Sequence, residues 1–352
     1  MCASKVMVTR GYDKRAAAVV LLKHVKNPIK LAREMLVREQ TGRDEQNPSL
    51  GAHNHVCLGG ETAEDLASKW GLELRDKDYF WTKKRWDEHR RGLGKNTDSR
   101  CTRNDTSSMR RIGSEGWNGK EYLSQGTTGC VALDKYGTMC VATSTGGLTN
   151  KLPFRIGDTP TVGAGFWAEE WNEAPLPLSP KPSATTIPPF VSSLMDGITK
   201  SFDACFGHFH GYEPLPANEV QPLDCKSAIT STQSEGHSVA ISGTGNGDSF
   251  LRLSAARTAG AIVRFSYPAL PARTLKSAVN QVVGPGGELQ MSAGDRWGKT
   301  GEGEGGMIGI ELRDGKGEVC WDFNCGGMFR CYGDGKGGVR VGVFRDEEEV
   351  RW

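Results

Sequence analysis

The sequence predicts an α+β fold, with a sheet core covered by helices. Three observations carry this. Short apolar runs bounded by glycine and polar turns recur along the chain, and in the second half they pair as antiparallel hairpins. Segments with apolar residues at helical spacing lie between these runs. The 46 glycines supply the tight turns that many short elements require.

Taken in order, "AAAVVLL" at 16–22 reads as a buried strand. "NPIKLAREML" reads as a helix, with Pro28 at its first turn and Ile29, Leu31, Ala32 and Leu36 on one face. A polar loop, "TGRDEQNPSLGAHN", leads to a short strand and turn, "HVCLGG". "TAEDLASKWG" is a second helix, which Thr62 is placed to cap, with Asp65 at the capping-box position and Gly71 as its stop. Residues 82–91 are strongly charged, and about 92–124 has the composition of a disordered linker.

From Thr127 the character changes. "TTGCVALDKYGTMCVATST" reads as two strands about a "KYG" turn, followed by a glycine-punctuated loop and a third strand. Residues about 171–236 are Pro- and Ser-rich and read as a long insertion. "HSVAIS" is a strand, "GTGNGD" a glycine turn, and "SFLRLSAARTAGAIVRF" an amphipathic helix. Residues 284–306 are Gly-rich, "MIGIELRDGKGEVCWDF" is a hairpin about "DGKG", and "RDEEEVRW" is a polar tail.

The totals exclude some classes. Among 352 residues, 44 basic and 42 acidic side chains leave a net charge of +2, so nothing argues for nucleic acid as a partner. No window of 18 apolar residues predicts a membrane helix, and "MCASKVMVTRGYDKR" lacks the apolar core of a signal peptide. Ten cysteines without a CxxC pair read as mostly reduced, buried thiols of a cytoplasmic protein. His208 and His210, and Cys320, Cys325 and Cys331, lack convincing metal-ligand spacing. "AGDRWGKT" at 293–300 is a loosened phosphate-loop pattern without the flanking strand and helix the mechanism needs.

Gly126-Thr127-Thr128-Gly129 admits two readings. It is a strand start with two hydroxyls, or the site of a threonine nucleophile. A threonine that becomes the first residue of a chain carries its own base, an α-amine with a pKa near ~8. A glycine before it permits a strained backbone and close approach, and a linker upstream is where a cut is tolerated. The strand, glycine turn and helix start at 238–250 could instead cradle a phosphate.

The segment "ATSTGGLTNKLPFRIGDTPTVGAG", with "GTTGCVALD" before it, "SGTGNGD" after it and "FNCGGMFRCYG" near the end, resembles the N-terminal nucleophile (Ntn) asparaginases. This is the plant-type asparaginase, isoaspartyl peptidase and glycosylasparaginase family. "HVKNPIKLARE", "HVCLGGETAEDLA" and "GLELRDKDYFWTKKRW" resemble its α-subunit. The resemblance covers most of residues 15–169 and about 235–335.

That resemblance implies a four-layer αββα sandwich, cut between Gly126 and Thr127 into an α-part, 1–126, and a β-part, 127–352. Thr127 would be the nucleophile and Thr145 would orient it. Arg155 would grip a substrate α-carboxylate, Asp158 the α-ammonium, and Gly247 would help seat the ammonium end. Thr244 and the N–H of Gly245 would hold the oxyanion. The substrate would be a small molecule, L-asparagine or a β-aspartyl peptide, with no cofactor or metal, in a dimer of αβ units. Three departures are visible. The chain is expected to lack the family's first strand and helix, Phe154 replaces a glycine and is expected to narrow the pocket, and Thr128 replaces a valine. The alternatives are a glycosylasparaginase, a threonine protease of the same superfamily, or an inactive truncated pseudoenzyme.

Overall fold

The computed structural model describes residues 2–9, 13–41, 55–93, 126–172, 236–266 and 273–352. The polar loop at 42–54, nearly all of the linker and the interior of the insertion, with His208 and His210, lie outside the described residues.

Two sheets form the core. The first has strand order β3-β2-β1-β5-β4, built from β1 (Cys2–Val8), β2 (Ala16–Leu22), β3 (Cys57–Gly59), β4 (Thr128–Leu133) and β5 (Met139–Thr145). All its pairs are antiparallel except β2 with β3, which is parallel. The second is fully antiparallel, in the order β6-β7-β8-β9: β6 (Phe166–Asn172), β7 (Gly236–Gly245), β8 (Gly305–Arg313) and β9 (Lys316–Phe323).

Alternation along the strands sorts side chains to the two faces of the first sheet. Met7, Met139 and Val141 join Phe166, Ala168, Val239 and Ile241 of the second sheet in one buried cluster. Val6, Ala17 and Val19 face the other way, onto helices α1 (Pro28–Thr41) and α2 (Gly60–Lys69). In α1, Pro28, Leu31, Ala32, Met35 and Leu36 are buried, a single helical stripe, and Ile29 is only half-buried. On the second sheet, Ala255, Ala259 and Val263 of one helix and Leu275, Ala278, Val279 and Val282 of another complete the larger cluster. These two are α5 (Ala255–Ser266) and α6 (Leu275–Val283), and α3 (Lys83–Gly92), α4 (Gly247–Leu253) and the short α7 (Glu288–Met291) complete the helices.

Turn chemistry explains the hairpins. Between β4 and β5 the Asp134 carboxylate accepts from the N–H groups of Tyr136 and Thr138 at 2.8 and 2.9 Å, and Gly137 takes φ +85°. Between β8 and β9, Asp314 and Gly315 have φ of +50° and +72°, the mirror-image two-residue turn that matches strand twist.

Several sequence expectations are corrected. α2 begins at Gly60 with Gly59 as its cap, so Thr62 lies inside the first turn and caps nothing. The 249–265 segment is two helices, α4 and α5, broken at Ser254, which takes a left-handed conformation with φ +46°. "GTGNGD" is only partly a turn, because β7 runs through Thr244 and Gly245. The insertion's edges, Trp171, Asn172 and Gly236, pair in the second sheet. The polar tail ends in β12 (Val350–Arg351), which joins β10 (Arg330–Gly333) and β11 (Val339–Gly342) in a small sheet. Of the six cysteines whose side chains are described, Cys57, Cys130 and Cys331 are exposed and only Cys320 is buried.

Candidate active site

The β4–β5 register creates the site. Thr128 pairs with Ser144, so the residues just beyond, Thr127 and Thr145, face each other at the end of the hairpin. The Thr127 hydroxyl donates to Oγ1 of Thr145 at 3.1 Å, and the Gly147 N–H donates to the same oxygen at 3.0 Å. Gly126 and Gly147, on either side, have φ of +79° and +75°, which a side chain would resist. The second glycine of the motif has a separate reason. A β-carbon on Gly129 would collide with the Ser242 hydroxyl, which reaches across from β7 and bonds Thr143 at 2.8 Å.

An open cleft lies beside Thr127, lined by Thr127, Thr145, Arg155, Asp158, Gly245 and Gly247 among others. Arg155 donates from Nη2 to Asp248 at 3.1 Å, and its guanidinium also lies near Gly247, where a β-carbon would meet Nη2 at 3.1 Å. Asp158 is buried. Its Oδ1 faces Gly247, 2.5 Å from where a β-carbon would stand there. Burial raises the Asp158 pKa, and the charges of Lys5 and Arg155 and nearby backbone N–H groups oppose the rise. The cleft therefore offers a cation and an anion a few ångströms apart, beside a hydroxyl. That set can hold a zwitterionic head group.

Six of the eight sequence-predicted residues line the cleft. Gly126 precedes Thr127 at its rim, exposed, while Thr244 is half-buried in β7, paired with Gly306, and does not line it. Phe154 does not narrow the pocket. It is 76% exposed and turned away at φ +66°, a conformation that suits glycine and strains a bulky residue. The helix start after β7 is capped by its own Asn246, whose Oδ1 accepts from the Ser249 N–H at 3.1 Å. Residues 293–300 form a 3₁₀ turn after α7, without the strand and helix of a phosphate loop.

The sequence reading missed four contributors. Lys151 donates to the Gly146 carbonyl at 2.7 Å and holds the glycine loop below Thr145. Asp248 engages Arg155. The charged run at 82–91 is α3, and it packs on this loop: Thr149 donates to Glu88 at 3.3 Å, Asn150 bonds His89, and Arg85 reaches Gly126, where a β-carbon would stand 3.1 Å from its Nη2. Lys5, fully buried on β1, lies behind Asp158. A charge inside an apolar strand pattern, "SKVMV", was the available signal for it.

A threonine held at a hairpin end over a cleft with paired charge clamps, beside two facing sheets, fits the class of Ntn hydrolases. A model of the asparaginase family matches residues 4–174. An isoaspartyl peptidase of Salmonella typhimurium is 34% identical over 169 residues, 47% of this chain and 45% of that protein. A plant-type L-asparaginase of Pyrobaculum calidifontis is 34% identical over 160 residues, 45% of this chain and 43% of that protein. An isoaspartyl peptidase/L-asparaginase of Mus musculus is 33% identical over 163 residues, 45% and 39% respectively. The chain spans less than half the length of these curated relatives. Over residues 4–174 the chain is similar to the asparaginase family, just under half of its length. Among the described residues, no helix is long and apolar enough to cross a membrane.

Proposed function

We propose that this chain is a threonine-nucleophile amidohydrolase acting on L-asparagine, on β-aspartyl peptides, or on both. The observation that carries the reading is the single cleft that gathers Thr127, Thr145, Arg155, Asp158, Gly245 and Gly247. The names of the relatives favour it over a glycosylasparaginase or a threonine protease. The layer order, α1 and α2 on one sheet and α5 and α6 on the other, supports a four-layer αββα sandwich.

In the maturation step the Thr127 hydroxyl attacks the Gly126 carbonyl. The peptide C–N bond breaks as an ester forms, which frees the Thr127 α-amine, and water then hydrolyses the ester to release the Gly126 carboxylate and the Thr127 hydroxyl. That amine then serves as the base. In turnover Arg155 holds the substrate α-carboxylate and Asp158 its α-ammonium, which sets the side-chain amide against Thr127. Thr127 attacks the amide carbon while its amine takes the hydroxyl proton. The Gly245 N–H, at the cleft, meets the developing oxyanion. The amine proton passes to the leaving nitrogen, and water releases L-aspartate from the acyl ester. The scheme draws on side chains and backbone only. Assembly as a dimer of αβ units in the cytoplasm is part of the same proposal.

Intact-mass measurement of the purified chain tests it, with Thr127→Ala as control. Two fragments, 1–126 and 127–352, absent in the control, are expected. A chain that stays whole through long incubation overturns the reading.

A further inference from the structure

Lys5 is fully buried on β1, between the two sheets. Its register partner in β5 is Thr143, two residues before Thr145. The ammonium stands 3.6 Å from the centroid of the Phe166 ring and donates to the Asp158 carbonyl at 3.5 Å. A buried ammonium with so few acceptors is costly unless a counter-charge stands close.

Glycine geometry locates that counter-charge. A β-carbon on Gly165 would meet Oδ2 of Asp158 at 2.8 Å and Nζ of Lys5 at 2.9 Å. The two atoms therefore flank the same bare backbone. The other carboxylate oxygen, Oδ1, faces Gly247 and the cleft. Asp158 thus has an inner oxygen toward Lys5 and an outer oxygen toward substrate. The charged groups around it are Lys5 from β1, Arg155 from its own loop, and Asp248 from α4 through Arg155.

We infer that Lys5 is a positioning residue: its ammonium anchors the inner oxygen of Asp158 and leaves the outer oxygen, ionised, for the α-ammonium of the substrate. The inference rests on the amidohydrolase reading. Burial moves the two pKa values toward each other, Lys5 down and Asp158 up, and each charge opposes the other's shift. Lys5 Nζ and Asp158 Oδ2 flank one point at Gly165. The Gly-Ala-Gly at 163–165 acquires a role from it, since any side chain at Gly165 would wedge the pair open.

The test uses Lys5→Met, a change that retains volume in an apolar site and is expected to fold, because replacing buried charge by apolar surface is often tolerated. Intact mass and thermal unfolding check that it matures and folds. With asparagine or a β-aspartyl dipeptide as substrate, the acid limb of kcat/KM should move upward by about 1 pH unit or more, since a nearby cation lowers a carboxylate's pKa by that order. The change should appear in KM, with kcat at saturation little altered. A matured Lys5→Met enzyme with the wild-type pH profile overturns the inference. Wild-type protein that never cleaves or turns over overturns the amidohydrolase reading instead. If Lys5→Met does not mature, the ¹³Cε resonance of Lys5 in labelled wild-type protein is titrated. An ammonium at pH 7 is required, and a neutral amine there overturns the proposal.

Discussion

The Thr127 hydroxyl donates to Thr145 Oγ1, which also accepts from the Gly147 N–H. Both acceptor positions of the Thr145 oxygen are thereby used. The lone pairs of Thr127 remain available, and its proton has a defined direction. Replacing Thr145 by Val keeps the shape and removes the acceptor. Self-cleavage should slow by about 10²-fold or more, the lower range for losing a positioned proton partner. A time course of intact mass checks this. A Thr145→Val chain that matures at the wild-type rate would remove Thr145 from the mechanism.

Arg155 should not tolerate Lys. Its guanidinium bridges toward Asp248 while flanking Gly247, and a planar fork can serve a carboxylate and that partner together. Arg155→Lys is expected to raise KM for asparagine by about 10-fold to 100-fold, the size of one lost charge-assisted hydrogen bond. Asp248→Asn should do much less, because the Asp248 side chain is 57% exposed and exposed ion pairs contribute little. Steady-state kinetics of both variants would separate the two roles. Equal effects would contradict the assignment.

Glu311 gives the fold an acid-sensitive tie. It is buried, accepts from His237 at 2.7 Å and from the Leu275 N–H at 2.7 Å, and so joins β7, β8 and the start of α6. Burial alone would raise its pKa, but the His237 and Leu275 hydrogen bonds and the charges of His237 and Arg313 hold it below the usual carboxylate value. A depressed folded-state pKa stabilises the protein above the unfolded value, about 4.3, and this contribution is lost as pH falls toward the folded one. Urea unfolding at steps from pH 7 to pH 3 should show that loss. Glu311→Gln should flatten the acid limb and lower stability at pH 7 by about 1–3 kcal/mol. An unchanged acid limb in the variant would place the sensitivity elsewhere.

Cys320 should be the inert thiol. Burial in the core, then the charge of Glu311, pushes its pKa up to about 12. The thiolate is the reactive form, so alkylation at pH 8 should leave Cys320 unmodified until the chain unfolds. Cys331 and Cys130, both exposed, should react in the native protein. Peptide mapping after timed alkylation reads each site. Early modification of Cys320 would show that this part of the core opens locally.

What the sequence made legible follows physical locality. β2, the β4–β5 and β8–β9 hairpins and the apolar stripe of α1 rest on patterns within a few residues, and they are present. β1 escaped because Ser4 and Lys5 break its apolar pattern, and only a tertiary partner such as Asp158 explains a lysine there. α3 escaped because its charge masks its helical spacing, and its contacts to Gly126, Thr149 and Asn150 are distant in sequence. α6 was within reach. Thr274 caps it through the Ser277 N–H, and Leu275, Ala278, Val279 and Val282 repeat at helical spacing. The site residues came from motif resemblance, and the cleft brings together the ones at strand ends and tight turns. The Arg155–Asp248 contact joins residues 93 apart and could be seen only in the fold.

The second glycine of Gly-Thr-Thr-Gly makes the last prediction. Gly129 sits in β4 where that strand meets β7, and a β-carbon there would overlap the Ser242 hydroxyl and come within 3.0 Å of its Cβ. Gly129→Ala should therefore push the sheets apart locally and break the Thr143–Ser242 hydrogen bond. Overpacking of this kind costs about 1–3 kcal/mol. Because Thr127 lies two residues away, just ahead of β4, the displacement should also slow self-cleavage. Gly129→Ala combined with Ser242→Gly removes the overlap and should recover much of both losses. Non-additivity in thermal unfolding and in the cleavage rate measures the coupling. If the double variant is only the sum of the singles, the glycine is there for its backbone and not for the close approach of the two sheets.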